Sequence, residues 1–211
     1  MVSGHRASGP GKRDKREAIL QAAWELIRHH GYSKATMSEI AREAGVGKGT
    51  AYLYFRSKRE IMLALVDKTN RRITDDLERI AVSPDPPRER LRECLLHRVL
   101  RIWDLVHRYK HGHEVITSLK PDIVARVEEH VHDQGEILAR LLREGRFPVD
   151  NPDETGQVLA GLFELLTPPY YGFRSRKSLE QFATQVADLV LRGLDGSPPG
   201  EKSDESVTQI T

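Results

Sequence analysis

The stretch from Thr36 to Phe55 constrains the fold of this chain more than any other. Thr36 followed by Glu39 is the pattern of a capping box, in which the two residues satisfy free N–H groups at a helix start. Apolar residues then recur at helical spacing until Gly45, where glycine can end a helix in the left-handed conformation without steric cost. A second short helix is expected from about Gly47 to Phe55. Two short helices joined by a tight glycine turn predict a helix-turn-helix, whose second helix can lie in the DNA major groove.

The exposed side chains expected on the second helix suit contact with bases. Lys48 and Thr50 place hydrogen-bond donors near its N-terminus, the end that usually meets base edges. Gly49 has no side chain, so the backbone can approach DNA closely. Tyr52 offers a ring for thymine methyl groups and a hydroxyl for phosphates. These four residues are therefore predicted to touch or read bases.

A second set of residues is predicted to hold the DNA backbone, and two apolar residues are expected to hold the helix in its domain. The predicted phosphate contacts are Thr36, Ser38, Tyr54 and Lys58. Leu53 and Phe55 are expected to pack back into the small domain. The basic residues at Lys12, Arg13, Lys15 and Arg16 can lie on phosphates or in a minor groove, or can simply be a solvated charge run.

The run from Thr36 to Ile61 resembles the DNA-binding signature of the TetR/AcrR family of bacterial one-component regulators. The matching positions lie in register and without gaps: Thr36, Ile40, Ala41, Ala44, Gly45, Val46, Gly49, Thr50, Tyr52, Tyr54, Phe55 and Lys58. Ala18, Ile19, Ala22, Ala23, Gly31 and Tyr32 fit the family's first helix and the turn after it. Gly47 departs from the family, which usually has Ser there, and a Gly cap is weaker by only a few tenths of a kcal/mol.

Composition fits a DNA-binding head on a mildly acidic body. Residues 1–60 hold 12 Lys/Arg and 6 Asp/Glu, a net charge of +6, whereas the whole chain of 211 residues has a formal net charge of +2. Such asymmetry suits a protein that places one end on a polyanion. The single cysteine, Cys94, is expected to be a buried, inert thiol, which fits a reducing cytoplasm. No apolar stretch approaches the roughly 20 residues that span a membrane.

Helical periodicity continues after Phe55 and no strand alternation appears, so the fold is predicted to be all-α with about nine helices. The predicted domains are a disordered basic arm (1–13), a three-helix helix-turn-helix domain (14–57), a ligand-binding and dimerisation domain (58–195) and a disordered tail (196–211). A long helix from about Lys58 to Val82 would join the two domains without a linker. Further helices are expected at about 87–109, 113–119, 122–144 and 178–194, and one more is expected to begin within residues 151–155 and to be stopped or kinked by Pro168 and Pro169.

The resemblance implies a homodimer with a small-molecule cavity. In the family, the last two long helices of each subunit form a four-helix interface, and a cavity among the middle helices binds a ligand. Small residues in the last two helices are expected to allow close helix approach: Gly156, Ala160, Gly161, Ala183 and Ala187. The candidate pocket residues are Trp103, His107, Phe163 and Tyr170, since aromatics with a few polar groups line ligand sites. Packing in the core or dimer seam is the alternative for each.

Other chemistry is not favoured. Asp104, His107 and His111 share a helix face with Glu114 nearby, a geometry that can hold a metal. A polar helix face is the favoured interpretation, and no metal or cofactor is predicted. The sequence has no nucleophile elbow, phosphate loop or dinucleotide fingerprint, so no enzyme is predicted.

The predicted function is a cytoplasmic, ligand-responsive, dimeric transcriptional regulator. It would act as a repressor on a palindromic double-stranded DNA operator, be released by a hydrophobic small-molecule effector, and involve no membrane. Ligand entry among the middle helices would tilt the long helix after Lys58. The alternatives are a helical ligand-binding or interaction protein that no longer reads DNA, and an activator instead of a repressor.

Overall fold

The computed structural model describes residues 12–107, 111–167 and 173–195, which form eight α-helices and no strand. The sixth helix bends at Leu119, whose φ of −123° and ψ of 15° lie outside the helical region two residues before Pro121. The described residues thus hold nine straight helical segments, and the all-α prediction is confirmed. The helices are α1 (Lys12–His30), α2 (Met37–Glu43), α3 (Lys48–Tyr54), α4 (Lys58–Ala81), α5 (Pro87–His107), α6 (Gly112–Glu144), α7 (Pro152–Glu164) and α8 (Arg176–Asp195).

Local capping sets where several helices begin. The hydroxyl of Ser57 accepts from the backbone N–H of Glu60 at 3.2 Å, which starts α4 where the sequence predicts. Asn151 caps α7 by accepting from two backbone N–H groups, and Pro152 occupies the first turn, where its missing N–H costs nothing. Both α1, which begins at Lys12, and α8, which begins at Arg176, start two residues before the predicted position. The predicted arm up to residue 11, the end of the fifth helix beyond residue 107 and the tail after 195 lie outside the described residues.

Three clusters of buried apolar side chains hold these helices together. One lies among α1, α2, α3 and the start of α4, and includes Ile19, Ile40 and Phe55. The largest lies among α4 to α8 and includes Leu95 and Leu141. The third joins the other two, with contributions from α1, the segment before α2, α4 and the first half of α6: Ile27, Ala35, Met62, Leu119, Ile123 and Val127. The first half of α6 therefore packs on the N-terminal helices as well as on the body.

Cys94 lies in the largest of these clusters. Its side chain is 1% exposed, as the sequence predicts. Burial raises the pKa of its thiol to about 12, so the reactive thiolate is scarce at neutral pH. The thiol therefore serves the packing of α5 as a small apolar group.

Four of the five small residues predicted to allow close helix approach pack within a single chain, whereas a Cβ at Gly161 would meet nothing within 4 Å in the described residues. A Cβ added to Gly156 would lie 2.8 Å from the backbone nitrogen of Ala139 on α6, and closer still to the carbonyl oxygen of Gly135. Ala160, Ala183 and Ala187 are buried in the largest core cluster. Their size is fixed by close helix approach within the chain, because larger side chains would have no room.

Large apolar side chains remain exposed on α7 and α8 instead. Val158 is 61% exposed and lies at helical spacing from Leu162 and Leu165 on α7. Leu189 is 63% exposed and lies seven residues after the exposed Phe182 on α8. Each set forms one stripe along its helix, since residues three, four and seven apart share a face. Within the described residues, none of the helices combines the length and the apolar character needed to cross a membrane.

Candidate nucleic-acid interface and buried cavity

The turn between α2 and α3 presents α3 on the surface of the N-terminal helices. Gly45 has a φ of +65°, the left-handed conformation that glycine adopts readily, and the Val46 N–H donates to the Ala41 carbonyl oxygen at 3.0 Å. Gly47 caps α3 with extended backbone and no side-chain hydrogen bond. On the inner side of α3, Ala51 is fully buried, and Phe55 directly after the helix is buried as well. These anchors leave the opposite face of α3 free for a partner.

The residues predicted to touch bases lie together on that surface. Lys48, Gly49 and Tyr52 are exposed, and Thr50 is half-buried. A Cβ at Gly49 would have no heavy atom within 4 Å among the described residues, so nothing within that part of the chain requires glycine there. Leu53 was expected to be buried, but it is 87% exposed. That expectation was wrong because a helix of seven residues touches its domain along one narrow face, which is already filled.

Thr36 and Ser38 lie at the N-terminus of α2, where the predicted capping box is present. The Thr36 hydroxyl oxygen accepts from the Glu39 N–H at 3.2 Å, and the Thr36 N–H donates to the Glu39 carboxylate at 2.9 Å. The Thr36 hydroxyl, which donates to the Glu39 carboxylate at 2.8 Å, and the Thr36 N–H lower the pKa of Glu39. Both Thr36 and Ser38 are exposed. They can therefore reach a phosphate while the backbone N–H groups of the helix start point to the same side.

Lys58 has a different environment from the one predicted. Its ammonium donates to the carbonyl oxygens of Tyr32, Ser33 and Ala35, with the Ala35 contact at 2.7 Å. It also lies 4.4 Å from the centre of the Tyr32 ring. Burial lowers its pKa. All three N–H groups thus fix the segment between α1 and α2. Lys58 therefore stabilises the predicted DNA-binding surface from its inner side. Tyr54 is half-buried against the first core cluster.

Two polar contacts connect the first half of α6 to the N-terminal helices. The Glu114 carboxylate accepts from the backbone N–H of Ser33 at 2.8 Å and from its hydroxyl. Asp122 accepts from Arg59 on α4 through two hydrogen bonds, with the Nε contact at 2.7 Å. The pKa of each carboxyl group is lowered by its hydrogen-bond donors. Sequence reasoning missed these contacts, because pairs this far apart in the chain leave no local pattern.

The same part of α6 forms one wall of a cavity. The volume open to the centres of water-sized molecules is about 100 Å³. Its apolar walls come from α1, α4, α5 and α6: Trp24, Ile27, Met62, Leu65, Val66, Ile102, Leu105, Val106, Val115, Ile116, Ile123 and Val127. Its polar lining consists of Arg28, Thr69, Asn70, Arg98, His111, Glu164 and Thr167. The arrangement suits a mostly apolar molecule that carries a polar group.

The polar lining of the cavity contains a buried ion pair. Arg98 on α5 is 3% exposed, and its Nη2 donates to the Glu164 carboxylate on α7. Burial lowers the pKa of Arg98 and raises the pKa of Glu164, because the charged form of each is poorly solvated there. Arg98 lies three residues after Leu95 and four before Ile102, on the inward face of α5. That placement was the available sequence signal for a buried charge.

Three of the four residues predicted to line a pocket do not line this cavity. Trp103 and Phe163 are buried in the largest core cluster, and neither lines the cavity. His107 stacks on Trp103 with ring centres 3.4 Å apart, and its Nε2 lies 3.1 Å from Nε2 of His113. Tyr170 lies outside the described residues. Sequence could not separate core aromatics from cavity aromatics, because both occupy inward helix positions.

The histidine-rich face does not form a metal site in the described residues. Asp104 pairs with Arg176 at 2.9 Å, and His111 lies 3.4 Å from Glu114, so these side chains are directed to different partners. Within the ranges given above, no group of three or more His, Cys, Asp or Glu side chains is arranged to hold a metal ion.

Residues 19–65 match the family model for bacterial regulatory proteins of the tetR family. The chain is 39% identical over 77 residues to the HTH-type transcriptional regulator BetI of Agrobacterium fabrum, which is 36% of this chain and 37% of that protein. It is 46% identical over 54 residues to the fatty acid metabolism regulator protein of Bacillus subtilis, which is 26% of this chain and 28% of that protein. The matches thus span about a third of each relative's length. These relatives are named as regulators and not as enzymes, in agreement with prediction.

Solved structures match over nearly the whole chain. A transcriptional regulator from Cytophaga hutchinsonii has a TM-score of 0.70 at 24% identity, covering 85% of this chain and 97% of that one. The Thermus thermophilus FadR repressor, solved with lauroyl-CoA, has a TM-score of 0.61 at 23% identity, covering 88% and 97%. At such identities the likeness concerns the fold, and it extends the N-terminal match to the helical body.

Proposed function

We propose that this chain, a member of the TetR/AcrR family, is a ligand-responsive transcriptional repressor that binds a palindromic operator as a homodimer. The observation that carries the proposal is the exposed face of α3, where Lys48, Gly49 and Tyr52 stand free on a domain matching the family model. The second helix of a helix-turn-helix reads base edges with its N-terminal residues. Thr50 would join them in touching bases. The phosphate contacts would come from Thr36, Ser38 and Tyr54.

The dimer would form through the exposed apolar stripes of α7 and α8. Val158, Leu162 and Leu165 lie on one helix, and Phe182 and Leu189 on the other. Exposed apolar area of this kind, on two consecutive helices, favours association with an identical face. A two-fold dimer would also present two α3 helices, and thereby double a recognition site of a few base pairs.

The cavity would hold the effector and communicate with the DNA-binding surface through α6. Val115, Ile116 and Ile123 line the cavity, while Glu114 and Asp122 in the same segment hold Ser33 and Arg59. A ligand that moves this segment would displace the N-terminal helices and the start of α4 together. It would release DNA only to the extent that it binds the displaced state more tightly than the DNA-binding state. A protein of this kind would act in the cytoplasm.

Capture of sheared genomic DNA by the purified chain tests the proposal. The chain is expected to enrich one or a few inverted-repeat fragments, and the Lys48→Ala/Tyr52→Ala variant is expected to lose them. Lys177→Ala is the matched control, since it removes one positive charge from an exposed position at the start of α8. Affinity for a captured fragment should fall steeply with salt, because phosphate contacts release counterions. Equal capture by the double variant would overturn the assignment of α3.

A further inference from the structure

The polar lining of the cavity carries hydrogen-bonding capacity that the protein leaves unused. Arg98 uses Nη2 to hold Glu164, but its Nε and Nη1 are buried without a hydrogen-bond partner among the described residues. The Oδ1 of Asn70, a residue that is 2% exposed, is likewise buried without one in that part of the chain. Buried polar groups in folded proteins are nearly always hydrogen-bonded, so these atoms need an explanation.

The Glu164 carboxylate holds Arg98. It accepts from Nη2 of Arg98 through Oε2, while the Thr167 hydroxyl donates to the Glu164 backbone carbonyl oxygen at 2.8 Å and lies 3.3 Å from Oε1. Glu164 therefore positions the guanidinium at the cavity wall. The remaining capacity of Arg98 is donor capacity on a positively charged group. A group that completes it has to be an acceptor, and a positively charged group would be repelled.

We propose that the cavity binds an amphipathic small molecule with an apolar body and one acyl oxygen, a carboxylate or an amide carbonyl, that accepts hydrogen bonds from Nε and Nη1 of Arg98. The inference deepens the proposed function, on which it rests, by naming the chemical class of the effector. The apolar body contacts the aliphatic side chains of α4, α5 and α6, and Asn70 lies in the same polar lining. No covalent step is involved.

The apolar walls and the unpaired donors of Arg98 exclude two other classes of ligand. A sugar or nucleotide carries many hydroxyl or phosphate oxygens, which the apolar walls could not satisfy. A purely apolar molecule would fill the walls but leave the guanidinium donors unsatisfied. Site specificity of this kind is strong, because a ligand that lacks the acceptor leaves buried donors unpaired.

Titration calorimetry of the full chain with three probes of equal tail length tests the inference. Decanoate and decanamide carry the acyl oxygen, and decylammonium carries the tail with a positive donor group. Decanoate and decanamide are expected to bind at least about tenfold more tightly than decylammonium, the effect of one charge-assisted hydrogen bond. Equal binding of decylammonium, or no binding of any probe, would overturn the inference.

A second experiment replaces both members of the Arg98–Glu164 ion pair. Arg98→Met alone would leave Glu164 buried without its counter-ion, so the variant to use is Arg98→Met/Glu164→Met, since replacing both members of a buried pair by apolar residues is often tolerated. Its folding is checked by circular dichroism. Decanoate and decanamide are expected to bind it about tenfold or more weakly. Affinity equal to that of the unmodified chain would contradict the role of Arg98.

The matched control is Arg90→Met/Glu144→Met, which removes another ion pair away from the cavity. It should bind decanoate as the unmodified chain does. DNA capture separates the two proposals: the Arg98→Met/Glu164→Met variant should still enrich the fragments that the unmodified chain enriches. If the unmodified chain enriches none, the regulator proposal fails, while the probe titrations still decide the chemistry of the cavity.

Discussion

The backbone N–H of Ser33 donates to the carboxylate of Glu114 at 2.8 Å. The segment that precedes the helix-turn-helix is therefore held by a residue of α6, the helix that also lines the cavity. Gly31 and Lys58 lie beside this contact. A Cβ at Gly31 would lie 2.5 Å from Oε2 of Glu114, and the ammonium of Lys58 donates to carbonyl oxygens of the same segment. These polar contacts add to the apolar cluster that packs the first half of α6 on the N-terminal helices.

Glu114→Gln is expected to loosen this contact. The substitution removes the charge that accepts from Ser33, so the Ser33 amide should exchange with deuterium faster, with little change in amides of the α7 core. Glu136→Gln is the matched control, because it makes the same chemical change at an exposed position farther along α6. Unchanged Ser33 exchange in the Glu114→Gln variant would show that the contact does not hold the segment.

The same contact should depend on pH in a defined direction. Hydrogen bonds from Ser33 lower the pKa of Glu114 in the folded state. The stabilisation is therefore complete above the ordinary carboxyl pKa and is lost as pH falls through the lowered value. Ser33 exchange, corrected for its intrinsic pH dependence, should lose protection in acid in the unmodified chain. Glu114→Gln should remove that dependence, and its persistence in the variant would contradict the assignment.

Val158→Glu/Leu189→Glu is expected to convert a dimer to a monomer. Both side chains lie in the exposed stripes, and charges at the centre of an apolar interface would be buried without partners. Sedimentation velocity measures the change. Val82→Glu is the matched control, because Val82 is also highly exposed but lies at the end of α4. A dimer that survives the double substitution would place the interface elsewhere.

Gly156→Ala is expected to destabilise the fold by about 1–3 kcal/mol, the usual effect of inserting atoms into a packed interior. The new methyl group would meet the backbone of α6 at Ala139, which cannot move aside as a flexible side chain can. Chemical denaturation measures the change. Gly49→Ala is the comparison, since its methyl group meets nothing within 4 Å in the described chain and alanine favours helix. Equal free energies of unfolding for the two variants would show that α6 and α7 can move apart without destabilising the fold.

Leu53 and Phe55 should respond differently to truncation. Phe55→Ala removes a buried ring and is expected to cost about 3–5 kcal/mol of stability. Leu53→Ala removes a side chain that is 87% exposed and should change stability by less than about 0.5 kcal/mol. Thermal or chemical unfolding measures both. A large loss for Leu53→Ala would restore the sequence-based expectation that this residue packs into the domain.

The sequence alone determined where several helices begin and end and where the turn of the helix-turn-helix lies. Thr36 and Glu39 form their capping box, Gly45 adopts its positive φ and Ser57 starts α4 as predicted, because these features depend on backbone groups within a few residues. The residue pattern of α3 and the absence of strand alternation are also local properties, and they carried the fold class and the family resemblance.

Only the tertiary structure decided which inward side chains face a cavity and which face the core. Trp103 packs in the core, whereas Arg98 and Glu164 meet at the cavity although they lie 66 residues apart in the chain. Lys58 donates to backbone carbonyl oxygens of its own domain, and Leu53 is exposed. Helical periodicity gives the inward face of a helix but not the angle and distance at which another helix crosses it. Those depend on the packing of all the side chains together.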